Sequence, residues 1–97
     1  VYTCTNFPDQ PLVLDPSSTV FHYAFCLFEG TKAYRSEDGT VRLFRPDMNM
    51  ARMNRSAARI ALPTFDGEAV TDLIKKLVML DKDWIPTAPG YSLYLRE

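Results

Sequence analysis

Arg52, Arg55 and Arg59 fall within one short run, ARMNRSAARIALP (51–63). At about 100° per residue, their i, i+3, i+7 spacing puts all three guanidinium groups on one face of a helix. Such a face offers fixed charge and directed donors to a phosphate or a carboxylate. The same pattern also describes a solvated face whose members pair with Asp47 or Glu37. A second set lies in YSLYLR (91–96), where Ser92, Tyr94 and Arg96 alternate with Tyr91, Leu93 and Leu95. A strand with Ser, Tyr and Arg on one side meets water or lines a polar site, where Arg96 grips a carboxylate through two parallel bonds. On pattern alone Phe28 and Tyr94 read as core aromatics, and Tyr23 as a phenol bonded to a backbone carbonyl. His22, the one histidine, reads as a hydrogen-bonding residue rather than a base.

The 97-residue chain is long enough for one small domain with a modest core. With 46% apolar and 24% charged residues, it has the composition of a globular protein and none of the bias of a disordered one. A net charge of −1 argues against a general polyanion or nucleic-acid binder. The charge is unevenly spread. Between Lys32 and Arg59 seven basic residues face three acids, whereas between Asp66 and Asp83 five acids face three lysines. A local positive field on a near-neutral domain suits a small anion. Cys4 and Cys26 have neither metal-ligand spacing nor a disulfide framework, so a reduced, intracellular protein is the expectation. There is no run of membrane-spanning length and no signal-like start. Beginning on Val and stopping on Glu97, the chain reads as part of something longer.

These side chains need elements to hold them. Residues 1–15, with Pro8 and Pro11, read as an extended arm or edge strand. DPSS at 15–18 is a turn or helix start with Ser17 or Ser18 as cap. CLFEGTKAYR (26–35), the EDG turn and TVRLFR (40–45) predict a β-hairpin over 26–45. Gly30 within its first strand signals a bulge or a close backbone approach. Pro46 and Asp47 then open a helix over about 46–60, with Met50, Met53, Ala57 and Ile60 inward. Met48 is expected as core filler with Met50 and Met53, although it falls on the arginine side. Asp66 caps a second helix over about 67–81, whose Val70, Leu73, Ile74, Leu77 and Val78 form an apolar stripe and whose Asp72 and Lys76 can pair. WIPTAPG is a loop, and a strand over 91–96 closes the chain. The expected fold class is α+β: an antiparallel sheet with two helices.

In order and spacing, FHYAFCLFEGTKAYR, VRLFRPDMNMARMNRSAARIALPTF, KKLVMLDKDWIP and GYSLYLR resemble the branched-chain amino-acid aminotransferases, class IV pyridoxal-phosphate enzymes. The resemblance runs from about Pro11 to Arg96. It implies that residues 1–97 are part of the N-terminal small domain of a fold-type IV enzyme. The activity implied is exchange of an amino group between leucine, isoleucine or valine and 2-oxoglutarate. Arg52 matches the family's arginine for the cofactor phosphate. Tyr23 and Phe28 match substrate-pocket residues, with Tyr23 reaching the partner subunit's site in a homodimer. Tyr94 and Arg96 match the strand pair that recognises substrate, the arginine serving the distal carboxylate of glutamate.

The resemblance also implies what this chain lacks. The family's Schiff-base lysine lies far downstream, and Lys32, Lys75, Lys76 and Lys82 match no such position. The glutamate for the pyridinium nitrogen and the second phosphate-binding loop are likewise absent, so the segment alone is expected to be inactive. Glu97 stands where many relatives carry proline. Two alternatives remain. One is another class IV enzyme, such as a D-amino-acid aminotransferase or aminodeoxychorismate lyase. The other is a non-catalytic remnant that dimerises with, or modulates, a full-length relative. A cytoplasmic or mitochondrial location is expected, with no nucleic-acid or membrane partner and no metal.

Overall fold

In the computed structural model, residues 13–97 are described. Most of the expected arm at 1–15, and Cys4, therefore lie outside the described residues. Val13–Asp15 have no regular structure. Asp15 then closes a turn by accepting from the Ser17 backbone at 2.8 Å and from its hydroxyl at 2.6 Å. Ser18 precedes a single 3-10 turn, Thr19–Phe21, and caps nothing with its side chain.

The α+β expectation holds. Three antiparallel strands, β1 (Gly30–Arg35), β2 (Val41–Leu43) and β3 (Leu93–Arg96), form one sheet in the order β2-β1-β3. The hairpin is present but shorter than expected. Its turn is set by Gly39 at φ 83°, a conformation that suits a residue without a Cβ. Asp38 accepts from the Thr40 amide at 2.9 Å within it. Residues 26–29 are not strand, yet Glu29 and Glu97 exchange both backbone bonds, at 3.1 and 3.2 Å, and so carry the β1–β3 ladder one step further.

Helix α1 (Pro46–Arg59) starts on a left-handed Arg45, φ 47°, with Pro46 in the first turn where its missing N–H costs nothing. Its end is a backbone closure reached before Pro63. Ala61 takes φ 57°, its amide bonds the Ala58 carbonyl at 3.3 Å, and the Leu62 amide bonds the Ala57 carbonyl at 2.9 Å. This is a Schellman closure with alanine where glycine is usual. Helix α2 (Gly67–Leu80) begins as expected, with Asp66 Oδ1 accepting from the Glu68 and Ala69 amides. Gly67 brings the two helices together: a Cβ there would lie 3.0 Å from the Met50 Cβ.

Both helices serve one face of the sheet. Ala33, Met50, Ile74, Val78 and Ile85 form the buried cluster, flanked by Val41, Leu43, Phe65, Leu93 and Leu95. Three side-chain expectations are corrected. The covered sector of α2 runs through Thr71, Ile74 and Val78, leaving Leu73 63% exposed, because a three-strand sheet and one helix cover only part of the expected stripe. Asp72 pairs with Lys75 at 3.0 Å rather than with Lys76. Met48 is exposed and not core filler, whereas Met50 is buried.

Ile85, 2% exposed, belongs to the buried cluster and stands just before the loop to β3. Ile85→Ala is expected to cost about 2–4 kcal/mol, the range for a truncated buried aliphatic. Leu73→Ala is expected to cost less than about 0.5 kcal/mol. Denaturant unfolding of the two variants checks the pair.

Candidate anion-binding site on helix α1

Strand alternation decides which side chains reach α1. Thr31, Ala33 and Arg35 of β1 face the helices, while Lys32 and Tyr34 stand on the open side. Glu29 shares the inward parity, and its side chain turns toward α1, leaving the residue 9% exposed. On α1, Asn49 and Arg52 are three residues apart and meet this strand together. Asn49 Nδ2 donates to the Thr31 hydroxyl at 2.8 Å and to the Gly30 carbonyl at 3.2 Å. Arg52 grips Glu29 with two bonds, Nε to Oε2 at 2.8 Å and Nη2 to Oε1 at 2.5 Å.

The pairing shifts both groups. Hydrogen bonding from Arg52 holds the Glu29 carboxyl below its ordinary value, against the opposing effect of burial. Glu29 in turn holds Arg52 more firmly protonated. Nearby, the Glu97 carboxyl is pushed up by burial; the Thr31 hydroxyl bond works against this, and the Glu29 charge adds to it.

A guanidinium carries five N–H donors, and Glu29 takes two of Arg52's. Three are left for a ligand. The side chain of Arg52 is half exposed and lies between two grooves. One, about 490 Å³ and open, is lined by Phe28, Arg52, Arg55, Ser56 and Arg59. The other, about 380 Å³, is lined by Lys32, Tyr34, Arg45, Met48, Asn49 and Arg52. Among the described residues no ion pair joins Arg55 or Arg59 to Asp47, Glu37 or any other acid. The three arginines therefore form one cationic edge, and the ion-pair reading of Arg55 and Arg59 is not what the fold adopts.

The remaining candidates are more scattered. Phe28 is 77% exposed and borders the arginine groove, so it is not a core aromatic. Tyr94 and Arg96 lie on the open face of the sheet, opposite Lys32 and Gly30 respectively, while Leu93 and Leu95 turn to the core as alternation requires. Tyr94 is also exposed, and its ring covers Gly30: a Cβ built there would lie 2.9 Å from the phenol oxygen. The glycine signal was thus a close approach and not a bulge. Tyr23, 94% exposed at φ 59° with Ala24 at φ 53°, projects from a left-handed pair and lines neither groove. His22 hydrogen-bonds the Pro16 carbonyl at 2.9 Å, the structural role expected of it. Sequence reasoning missed Glu29. Its signal was parity, since an acid in register with Thr31 and Ala33 faces inward and needs a cation.

Comparison with known proteins bears on what this edge belongs to. Over 89 residues, 92% of the chain, it is 62% identical to the cytosolic branched-chain-amino-acid aminotransferase of Saccharomyces cerevisiae. The chain is a homologue of branched-chain-amino-acid aminotransferases. Homology extends to the mitochondrial aminotransferase of that yeast at 61% identity and to branched-chain-amino-acid transaminase 1 of Bacillus subtilis at 55%, over the same share of the chain. The chain spans about a quarter of the length of these aminotransferases. No protein-family model matches it. Among the described residues no cluster of ligating side chains could hold a metal ion, and no helix is long and apolar enough to cross a membrane.

The Glu29–Arg52 pair has a signed pH consequence. Glu29 holds its proton less tightly folded than unfolded, so its stabilisation is complete above the ordinary value of 4.5 and is lost as pH falls through the lower folded value. The raised Glu97 acts oppositely, its contribution fading as pH rises through its folded value. In Glu29→Gln the melting temperature is expected to fall less steeply below pH 4.5 than in the parent. Thermal melts across a pH series measure this.

Proposed function

We propose that the chain contributes the phosphate contact and part of the substrate pocket to a pyridoxal-phosphate-dependent branched-chain aminotransferase. Such an enzyme moves the amino group of leucine, isoleucine or valine to 2-oxoglutarate. The observation that carries this reading is 62% identity over 92% of the chain to an aminotransferase of that name. The branched-chain names of all the relatives described above favour this activity over other class IV chemistries.

The donor set suits the cofactor's phosphate. Arg52 keeps three N–H groups beyond its pair with Glu29, and Arg55, Ser56 and Arg59 border the same groove. A dianion there would meet charge-assisted bonds from a helix fixed to the sheet by Asn49. When bound, pyridoxal 5′-phosphate supplies the electron-withdrawing ring that carries the amino group between substrates. Phe28 and the Tyr94 ring offer apolar wall for an aliphatic side chain. Arg96, on the same strand as Tyr94, offers a bidentate partner for the distal carboxylate of glutamate or 2-oxoglutarate. Tyr23 projects far enough into solvent to serve the second site of a homodimer. The lysine that joins the cofactor is assigned to the part of the relatives beyond the matched quarter. The cytosolic and mitochondrial names of the yeast relatives support one of those two compartments.

In the full-length gene product, Arg52→Ala is expected to weaken pyridoxal 5′-phosphate binding about ten- to a hundredfold, the scale of hydrogen bonds to a charged group. Equilibrium titration of the cofactor measures this, and unchanged affinity removes Arg52 from the site. Arg96→Leu separates the two substrates. It is expected to raise KM for 2-oxoglutarate about tenfold or more while leaving KM for leucine within about twofold, since only the dicarboxylate loses a charge-assisted bond. Equal effects on both substrates count against the assignment.

A further inference from the structure

We propose that Glu29 is the positioning residue of the anion site, holding Arg52 by its Nε–Nη2 edge so that the Nη1 edge faces the phosphate. The proposal rests on the reading of Arg52 as the phosphate contact. It assigns a role to a carboxylate that would, by charge alone, repel the ligand.

The geometry favours positioning over simple charge balance. Two parallel bonds, at 2.8 and 2.5 Å, fix the plane of the guanidinium as well as its location, which a single contact would leave free to turn. The carboxylate is itself held. Its Oε1 also accepts from the Gly30 amide at 3.1 Å, and its backbone is bonded in both directions to Glu97. One turn earlier on α1, Asn49 is tied to Gly30 and Thr31, so the helix cannot slide along the strand. The guanidinium is therefore fixed from the sheet side before any ligand arrives. An arginine so held loses less side-chain freedom on binding than one rotating in solvent.

Charge balance and positioning predict opposite signs. If Glu29 only neutralises Arg52, Glu29→Gln removes a negative charge beside the groove and anion binding tightens. If Glu29 positions Arg52, the same change frees the guanidinium and binding weakens.

The test uses the full-length gene product with pyridoxamine 5′-phosphate, which has no aldehyde and forms no lysine adduct, and with pyridoxamine as the phosphate-free control. Glu29→Gln is expected to weaken pyridoxamine 5′-phosphate about three- to tenfold, the cost of ordering one long side chain, while pyridoxamine binding is unchanged. Glu29→Asp, which keeps the charge and shortens the reach by one methylene, is expected to do the same and decides the matter if the Gln variant does not fold. The Nη protons of Arg52, followed by 15N–1H spectroscopy, should change from slow to fast rotation in both variants. Phosphate binding equal to or tighter than the parent's in Glu29→Gln, with Arg52→Ala still weak, overturns the role of Glu29 and leaves that of Arg52 intact. Equal weakening of both ligands also overturns it, since that marks general loss of structure. Unchanged binding in Arg52→Ala overturns the functional reading beneath it.

Discussion

A carboxylate turned inward at the end of a strand needs a cation, and in this chain the cation comes from the helix that crosses above it. The Glu29–Arg52 pair and the neighbouring Asn49 contacts join α1 to β1 through polar bonds rather than through a deep core. The apolar cluster contains one alanine and four medium-sized side chains with partly buried neighbours around them, and apolar burial carries no direction of its own. Directional bonds supply that missing specificity. They decide which α1 residues meet the sheet, and with them which arginines stand along the groove.

Much of this arrangement was legible in the sequence because it was written in local terms. Asp66 before an apolar stripe, Pro46 after RLFR and Asp38-Gly39 between alternating runs each signal an element by its own chemistry, and each is where it was expected. The errors concern relations between elements. The stripe on α2 gave a face but not how much of it would be covered, so Leu73 came out exposed. Met48 was grouped with its neighbours by type, although its angular position already separated it. The pairing of β1 is a relation of the same kind, since Gly30 to Ala33 find their partners in a strand about sixty residues away.

The candidate site was legible in a different way. Arg52 was singled out by resemblance, and nothing in its spacing distinguished it from Arg55 and Arg59. The structure supplies the physical distinction: Arg52 alone reaches an acid on the sheet, while the other two remain without one among the described residues. Alternation put Tyr94 and Arg96 on one side of the last strand, and they share the open face, whereas the reading of Tyr94 as a core aromatic does not hold. Tyr23 rests on a left-handed pair that no periodicity argument could reach.

The overlap of Tyr94 on Gly30 makes the sheet surface adjustable from beneath. The hydroxyl end of the ring lies over a position that has no side chain, so its height above the strand is set by what residue 30 lacks. Any side chain introduced there would act as a wedge, lifting the tyrosine without altering its chemistry. Variation at 30 would reshape the wall at 94 through that one contact. Two positions read separately in the sequence thus behave as one.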